Sequence, residues 1–322
     1  MRISYIIPSY NAEPYLERCV ETLYMQDIAA DEFEVIIVND GSTDGTEEVA
    51  QRIASLHSNV KCISQVNQGL SASRNAGMQQ AIGDYYSFID ADDFLIPHTM
   101  KRVLETAEKK QVEVCKFALY SEYSGWTSIR NSPQSLPKDV ITGEQAMLMD
   151  LDINSACNVI YSSKFIKAYD LKFTVGILHE DVDFNAQVCF YAKRMLFMKN
   201  LVYYYYYNNK SITKSSNAAM EVKRFKSNVK YLERCKELAA KPEASTSLRE
   251  LFSNRANSAT VGLLLRLMKN KSIPVEEKQS LFALLEEKGL YPIKGKTMSW
   301  KSTAMLPLLN RRAYVLRKIG KK

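Results

Sequence analysis

The densest group of chemically competent side chains in the sequence is the acidic cluster Asp90-Ala91-Asp92-Asp93. Carboxylates this close together repel one another unless a cation lies between them. Their hard oxygen atoms suit Mg²⁺ or Mn²⁺, which keep coordination positions for water and for a substrate diphosphate. The competing interpretation is an acidic loop that caps a helix beginning near Pro97. The metal interpretation is favoured if the cluster directly follows a buried strand.

A second polar cluster, Asp40-Gly41-Ser42-Thr43-Asp44-Gly45-Thr46, has the composition of a nucleotide-binding turn. Its glycines allow the backbone to approach a ligand closely, and Asp40 could accept hydrogen bonds from a base N–H or a ribose hydroxyl group. The alternative is a turn that ends in a helix N-cap at Asp44 or Thr46. The sequence has neither the dinucleotide motif G-x-G-x-x-G nor the P-loop motif G-x-x-x-x-G-K-[ST], which disfavours those two classes of site.

Two further segments carry charged side chains with a potential role. Arg74 lies in the small-residue stretch 67–77, and its planar guanidinium group could hold a phosphate or stack on a base. The pair Glu180-Asp181 could supply a carboxylate that takes a proton from an attacking hydroxyl group. The simpler interpretations are a tightly packed small-residue helix and the acidic first turn of a helix over residues 182–190.

The elements around these clusters indicate how they are brought together. Short apolar, β-branched runs at residues 3–7, 33–38, 60–66 and 85–89 alternate with stretches of helical periodicity. Such alternation predicts βαβ units and a mainly parallel sheet. The segment 8–11 and the two acidic clusters each follow one of these runs directly. Because parallel sheets bind ligands beyond the carboxyl ends of their strands, we expect one site at that edge.

These motifs together resemble a known enzyme family. The ordered strings IIPSYN, VNDGSTDGT, NQGLSASRNAG and FIDADD, followed by HEDVDF and YYYYYNNKSIT, are similar to those of the inverting family 2 glycosyltransferases of bacterial surface-polysaccharide type. The resemblance covers residues 1–215. It implies a GT-A fold, a Rossmann-like, mostly parallel sheet flanked by helices. It also implies a nucleotide-sugar half over residues 1–120, an acceptor half over 121–215, and a mainly helical, basic C-terminal region over 216–322.

The resemblance also implies roles for individual residues. Asp92 is the expected ligand of Mn²⁺ or Mg²⁺, Asp181 the expected catalytic base, and Glu180 a neighbour that shapes the catalytic site. The nucleotide sugar is expected to contact Pro8, Tyr10, Asn11, Asp40, Asn67, Arg74, Asp90 and Ala91.

The implied reaction is inverting transfer of a hexosyl or N-acetylhexosaminyl group from a nucleoside diphosphate sugar, with UDP as the expected nucleotide. The acceptor is expected to be a hydroxyl group of a glycan or a lipid-linked molecule in polysaccharide biosynthesis. Two alternatives stay open: a non-catalytic scaffold that binds nucleotide sugars, and a sugar nucleotidylyltransferase. The second normally needs a Gly- and Arg-rich phosphate loop after the first strand, where this chain has Pro8-Ser9-Tyr10-Asn11.

The charge of the chain is divided unevenly. Residues 1–210 hold 19 Lys/Arg and 27 Asp/Glu, a net charge of −8, whereas residues 211–322 hold 24 and 9, a net charge of +15. An acidic front half disfavours a nucleic-acid partner. From Lys288 onward no residue is acidic, and a short amphipathic helix after Pro307 could lie on an anionic membrane or pack on the acidic domain.

The compartment is predicted from the cysteines and the N-terminus. The six cysteines form no CxxC pair, which is typical of reduced thiols rather than of a disulfide framework. The N-terminal segment becomes polar too early for a signal peptide. We therefore expect a cytoplasmic protein, peripheral at the inner face of the membrane if the basic region binds lipid.

Overall fold

The computed structural model describes residues 1–123, 126–130, 136–151, 153–206 and 217–320. The chain divides into two compact units. The first comprises Met1–Gly176 and Glu180–Lys210, and the second comprises Ile177–His179 and Ser211–Lys322.

The first unit is an α/β structure. Its strands are β1 (Ile3–Ser9), β2 (Phe33–Asn39), β3 (Val60–Ser64), β4 (Tyr85–Phe88), β5 (Phe94–Leu95), β6 (Val114–Tyr123), β7 (Trp126–Arg130), β8 (Val159–Ser162) and β9 (Met195–Tyr205). Its helices are α1 (Glu13–Tyr24), α2 (Thr46–Leu56), α3 (Leu70–Gln80), α4 (Met100–Lys110), α5 (Gly143–Leu148), α6 (Ser163–Ala168) and α7 (Glu180–Tyr191).

The predicted parallel strands form one half of the sheet. The strand order is β3-β2-β1-β4-β8-β6-β9-β5, with β7 paired to β6, and β3, β2, β1 and β4 are mutually parallel. Strands β1 and β2 are buried along their whole length, as expected for parallel strands covered on both faces. Ser9 at the end of β1 pairs with Asn39 at the end of β2, so the loops that follow both strands leave the same edge.

Beyond β4 the sheet is mixed. Strand β8 runs antiparallel to both β4 and β6, while β9 is parallel to β6 and antiparallel to β5. The predicted α/β class is confirmed, and the parallel pattern belongs to its N-terminal half.

The second unit is helical in the part that the structure describes. It contains α8 (Ala218–Ala240), α9 (Thr246–Lys269), α10 (Val275–Glu287), α11 (Trp300–Leu309) and α12 (Arg312–Ile319). The two long helices start at side-chain caps, since Asn217 accepts a hydrogen bond from Met220 N and Ser245 accepts one from Leu248 N. A helical C-terminal region was predicted and is confirmed. Within the described residues, no helix combines the length and apolarity needed to cross a bilayer.

The end of the chain differs from the expected amphipathic helix. Residues 300–319 form two helices, α11 and α12, and the apolar residues Leu309, Val315 and Ile319 are buried. Helix α12 packs against α9, α10 and α11. These three apolar residues are therefore covered by helices of the second unit itself, and membrane attachment of the basic region stays a prediction.

Candidate active site

The loops that follow β1 and β2 are joined by hydrogen bonds. Asn11 N donates to Ser42 Oγ at 3.1 Å, and Asn11 Oδ1 accepts from Thr43 N at 2.8 Å. Asn11 has a positive φ of 50°, a conformation that asparagine tolerates better than most residues. Tyr10 beside it is 48% exposed, so its ring is available to a ligand, whereas Pro8 is buried within β1.

Asp40, immediately after β2, is buried and acts as the anchor of a neighbouring turn. Its Oδ1 atom accepts hydrogen bonds from Gln65 Nε2 at 2.7 Å and Gln68 N at 2.9 Å, and its Oδ2 atom accepts one from Gly69 N at 2.7 Å. Asn67 lies exposed in the turn so held. We expected Asp40 to meet the nucleotide. In this structure the carboxylate oxygen atoms of Asp40 accept hydrogen bonds from the protein itself. Asp40 thereby fixes the turn that carries Asn67.

Gly41 allows the loop after β2 to lie close to the turn that carries Asn67. Its φ is +67°, and a Cβ atom at this position would lie 2.8 Å from the backbone nitrogen of Asn67. Glycine is therefore required at this position both by its conformation and by the lack of space.

Arg74 joins a carboxylate of the acidic cluster after β4 to one of the pair Glu180-Asp181. Only 2% of its surface is exposed. Its Nη2 atom lies 2.9 Å from Asp90 Oδ1, and its Nη1 atom lies 2.7 Å from Glu180 Oε1. The guanidinium group also lies 5.2 Å from the ring centre of Phe173. The arginine expected to contact the nucleotide thus contacts protein carboxylates in this structure.

The acidic cluster after β4 is divided between an inner and two outer carboxylates. Asp93 is buried; its Oδ2 atom accepts a hydrogen bond from the Tyr203 hydroxyl group at 2.6 Å, and its Oδ1 atom accepts one from Tyr206 N at 2.8 Å. Burial, and then the charges of Asp90 and Asp92, raise the pKa of Asp93 well above its usual range. Asp90 and Asp92 are half-buried, and Ala91 between them is buried. The contact between Asp93 and Tyr203 had no signal in the local sequence.

The carboxylates of this cluster are the candidate ligands of a divalent metal ion. Within the described residues, no group of three or more His, Cys, Asp or Glu side chains is arranged to hold a metal ion. Mg²⁺ and Mn²⁺ bound with a substrate diphosphate commonly use one or two protein carboxylates, the phosphates supplying further ligands. Burial, with the negative charges of Asp90 and Asp92 added to it, raises the pKa of Asp93, and carboxylates grouped in this way favour a nearby cation. The residues fit a cation shared with a bound diphosphate.

Glu180 and Asp181 lie in the first turn of α7, so the helix expected there begins at these two residues. Burial, reinforced by the charge of Glu180 and opposed by Arg74, raises the pKa of Asp181 to about 6. Glu180 is held by Arg74, and Asp181 Oδ1 accepts a hydrogen bond from Val182 N at 2.9 Å. A half-buried carboxylate with a pKa near neutrality is typical of a general base.

Comparison with known proteins identifies the class to which this fold and site belong. The profile of Glycosyl transferase family 2 matches residues 4–170. EpsH of Bacillus subtilis (strain 168), named as a glycosyltransferase, is 32% identical over 217 residues, covering 65% of this chain and 62% of EpsH. The uncharacterized glycosyltransferase YibD of Escherichia coli (strain K12) is 32% identical over 225 residues, covering 66% of this chain and 63% of YibD.

This chain belongs to glycosyl transferase family 2, and the predicted resemblance is confirmed. The matched region spans less than two thirds of the length of these two relatives. The family match favours a glycosyltransferase over a nucleotidylyltransferase.

Solved structures have the same fold. S. aureus TarS 1–349 in complex with UDP-GlcNAc superposes with a TM-score of 0.76 at 22% identity, covering 99% of this chain and 89% of that one. The mannosyltransferase PcManGT from Pyrobaculum calidifontis, in complex with GDP-Man and Mn²⁺, gives a TM-score of 0.54 at 14% identity, covering 99% and 84%. The GT-A fold class with a helical C-terminal extension is thereby confirmed.

Proposed function

We propose that this protein transfers a sugar from a nucleoside diphosphate sugar to an acceptor hydroxyl group, with inversion at the anomeric carbon. The main observation in support of this proposal is the bridge that Arg74 makes between two carboxylates. It holds Asp90, which follows the parallel strand β4, beside Glu180, which precedes the proposed base Asp181. A donor diphosphate and an acceptor hydroxyl group would therefore meet within one set of connected side chains.

The donor site is proposed at the carboxyl edge of β1, β2 and β4. Tyr10 and Asn11 would contact the nucleoside directly, and Asn67 would do so from the turn anchored by Asp40. Pro8 and Ala91, which are both buried, would shape the backbone of the donor site rather than present side chains to it. Arg74 would act by orienting Asp90, whose carboxylate is the proposed contact on the ribose side.

Asp92 is the proposed protein ligand of a divalent cation, Mn²⁺ or Mg²⁺, with Asp90 close by. Such a cation, when bound, stabilises the negative charge of the departing diphosphate. Asp93 takes no part as a ligand in this proposal, because both of its oxygen atoms accept hydrogen bonds from the protein.

The chemical step requires one proton acceptor. As the acceptor oxygen forms its bond to the anomeric carbon, the bond to the diphosphate breaks and the hydroxyl proton passes to Asp181. The pKa of Asp181, raised to about 6, leaves the carboxylate ionised at neutral pH and basic enough to accept that proton. Glu180, fixed by Arg74, positions Asp181 and keeps its pKa high.

The finer assignments rest on analogy with relatives. TarS, a poly(ribitol-phosphate) β-N-acetylglucosaminyltransferase of Staphylococcus aureus, is 28% identical over 63% of this chain, and its structure contains UDP-GlcNAc. We therefore propose a UDP-linked hexose or N-acetylhexosamine as donor and a glycan or lipid-linked acceptor in polysaccharide biosynthesis. Residues 1–215 are the proposed catalytic domain.

We also propose that the reaction takes place in the cytoplasm, with the basic region 288–322 at the inner face of the membrane. The cysteines support a reducing compartment, since Cys19, Cys115 and Cys157 are buried and form no disulfide bond with one another.

The test is hydrolysis of UDP-, GDP- and dTDP-sugars in the presence of Mn²⁺, followed by release of the nucleotide. We expect slow hydrolysis of a UDP-sugar that is lost in Asp92→Ala and on addition of EDTA. Asp170→Ala is the matched control, because Asp170 is an exposed aspartate paired only with Lys172 among its described contacts. Nucleotide-sugar binding without hydrolysis or transfer to any acceptor would support the scaffold alternative instead. Absence of both binding and hydrolysis would refute the donor site.

A further inference from the structure

Helix α11 presents an apolar surface to solvent. Four large apolar side chains in and just before it are exposed, and we call them the α11 apolar face: Met298 (55% exposed), Trp300 (76%), Met305 (36%) and Leu308 (42%). Lys301 is the one charged residue of the helix. This surface lies in the second unit. The inference drawn from it rests on the membrane location proposed above for residues 288–322, and not on the proposed glycosyl transfer.

The face is unusual for a helix of a soluble protein. Leu306 and Leu309 are the buried residues of α11 and already supply its contact with the second unit. Positions 301, 304, 305 and 308 recur at intervals of three and four, so they share one side of the helix, and all four residues are exposed. That side is normally polar, yet here it carries Ala304, Met305 and Leu308. An exposed apolar cluster of this kind marks an interaction surface.

Positive charge surrounds the α11 apolar face. Lys294, Lys296, Lys301 and Arg311 are exposed, and from Lys288 to the end of the chain no residue is acidic. Other basic residues of this region are neutralised, since Lys288 pairs with Glu233 and Arg312 with Glu286. No carboxylate of the described chain forms an ion pair with any of the four residues that flank the face. Their charge is therefore available to an anionic partner.

We propose that the α11 apolar face binds the surface of an anionic lipid bilayer. Trp300 would lie at the headgroup level, Met305 and Leu308 would enter the acyl boundary, and the flanking lysines would contact lipid phosphates. The same face on a second copy of the chain is a poorer partner, because a two-fold contact would set these uncompensated positive charges against each other.

The experiment uses the full chain and two kinds of vesicle, one of pure phosphatidylcholine and one in which phosphatidylglycerol replaces about one third of it. We expect co-sedimentation with the anionic vesicles only. Each of Lys294→Gln, Lys296→Gln and Lys301→Gln should weaken binding about fivefold, and Trp300→Ser with Leu308→Ser should weaken it about tenfold or more. These side chains are exposed, so the variants should fold.

Ile82→Ser is the matched control, because Ile82 is also an exposed apolar residue, at 63%, and lies in the first unit. It should bind anionic vesicles like the wild type. In a Trp126→Phe variant Trp300 is the remaining tryptophan, and its fluorescence should shift to the blue on binding. The proposal is overturned if anionic vesicles do not bind, or if the Trp300/Leu308 variant binds unchanged. It is equally overturned if the wild type is a dimer that this variant converts to a monomer.

Discussion

The Nη1 atom of Arg74 lies 2.7 Å from Oε1 of Glu180, although the two residues are 106 positions apart in the sequence. The arginine leaves helix α3 and the glutamate opens helix α7. With Asp90 on its other nitrogen, the buried guanidinium group fixes the starts of these segments in one arrangement. One cation is thus shared by two carboxylate groups of the protein.

Arg74→Met should be strongly destabilising, because it leaves Glu180 and Asp90 without their cation in a largely buried site. We expect a loss of about 3 kcal/mol or more in the free energy of unfolding, measured by urea denaturation. Arg74→Lys should retain part of the stability and lose most of the turnover, since an ammonium group cannot hold two carboxylates in a planar fork.

Arg52→Met is the control for that comparison. Arg52 also makes two contacts with one glutamate, Glu17, but both side chains are about half exposed. Exposed pairs of this kind contribute little to stability because water screens them, so Arg52→Met should have a small effect. Equal losses for Arg52→Met and Arg74→Met would contradict the role assigned to the buried bridge.

Catalytic activity should fall as the pH is lowered through about 6, the value to which burial and Glu180 raise the pKa of Asp181. Only the ionised carboxylate accepts a proton, so the rate should drop about tenfold per pH unit on the acid side. Glu180→Gln removes the neighbouring negative charge and should move this limb to lower pH. The pH profile of kcat/KM reports the pKa of the base in the free enzyme and measures both effects. If the acid limb of this profile lies at the same pH in Glu180→Gln as in the wild type, Asp181 is not the base.

Asp181→Asn should be inactive yet more stable than the wild type at about pH 8. The pKa of Asp181 is about 6 in the folded state and about 3.9 in an unfolded chain. The folded state therefore binds the proton more tightly, and the stability that this group contributes at low pH is lost as the pH rises through about 6. The difference between variant and wild type, followed by thermal unfolding, should shrink towards about pH 4.

Gly41→Ala should disturb the donor site more than Gly69→Ala. Both glycines have positive φ values, 67° and 87°, but an added Cβ atom at Gly41 meets the backbone of Asn67, whereas none of the surrounding atoms lies within 4 Å at Gly69. Gly69→Ala should cost about 1–3 kcal/mol for its conformation alone, because φ 87° with ψ 169° is a region nearly confined to glycine. Gly41→Ala should cost more and weaken UDP-sugar binding at least about fivefold, as calorimetry can measure. Equal affinities would contradict the packing of these two loops.

Tyr203→Phe should destabilise the protein by about 1–3 kcal/mol, because it removes the hydroxyl group that donates to the buried Asp93 and accepts from Asp90 N. Tyr5→Phe makes the same chemical change at a hydroxyl group that is buried without a hydrogen-bond partner among the described residues. It should be neutral or slightly stabilising. Thermal unfolding of the two variants separates the stability contributed by the hydrogen bond from the stability contributed by the aromatic ring.

Local patterns in the sequence were enough to predict the parallel half of the sheet. Strands β1 and β2 are continuous apolar runs, and their polar ends mark the edge where Asn11, Asp40 and Asp92 lie. The strand pairings of β8 and β9 could not be predicted in this way, because antiparallel and parallel neighbours share the same two-residue alternation.

The sequence was enough to predict which residues belong to the candidate site, but not which of them contact one another. Arg74 contacts Glu180, and Asp93 contacts Tyr203. Each contact joins segments that are distant in the sequence, and no rule based on residue spacing predicts it. The same limit applied to the C-terminal region, where periodicity could not decide which of Leu308 and Leu309 would be buried. The structure buries Leu309 and exposes Leu308.

The turn anchored by Asp40 has a consequence for the thermodynamics of donor recognition. Three hydrogen bonds to Asp40 form within the chain itself, so the ordering of residues 65–69 is complete once the protein has folded. A nucleotide sugar bound at this proposed site would meet a preorganised surface, and its association would carry little entropic penalty from loop ordering. The heat-capacity change of binding should then reflect only the apolar area covered by the ligand, without the larger negative value that accompanies coupled folding.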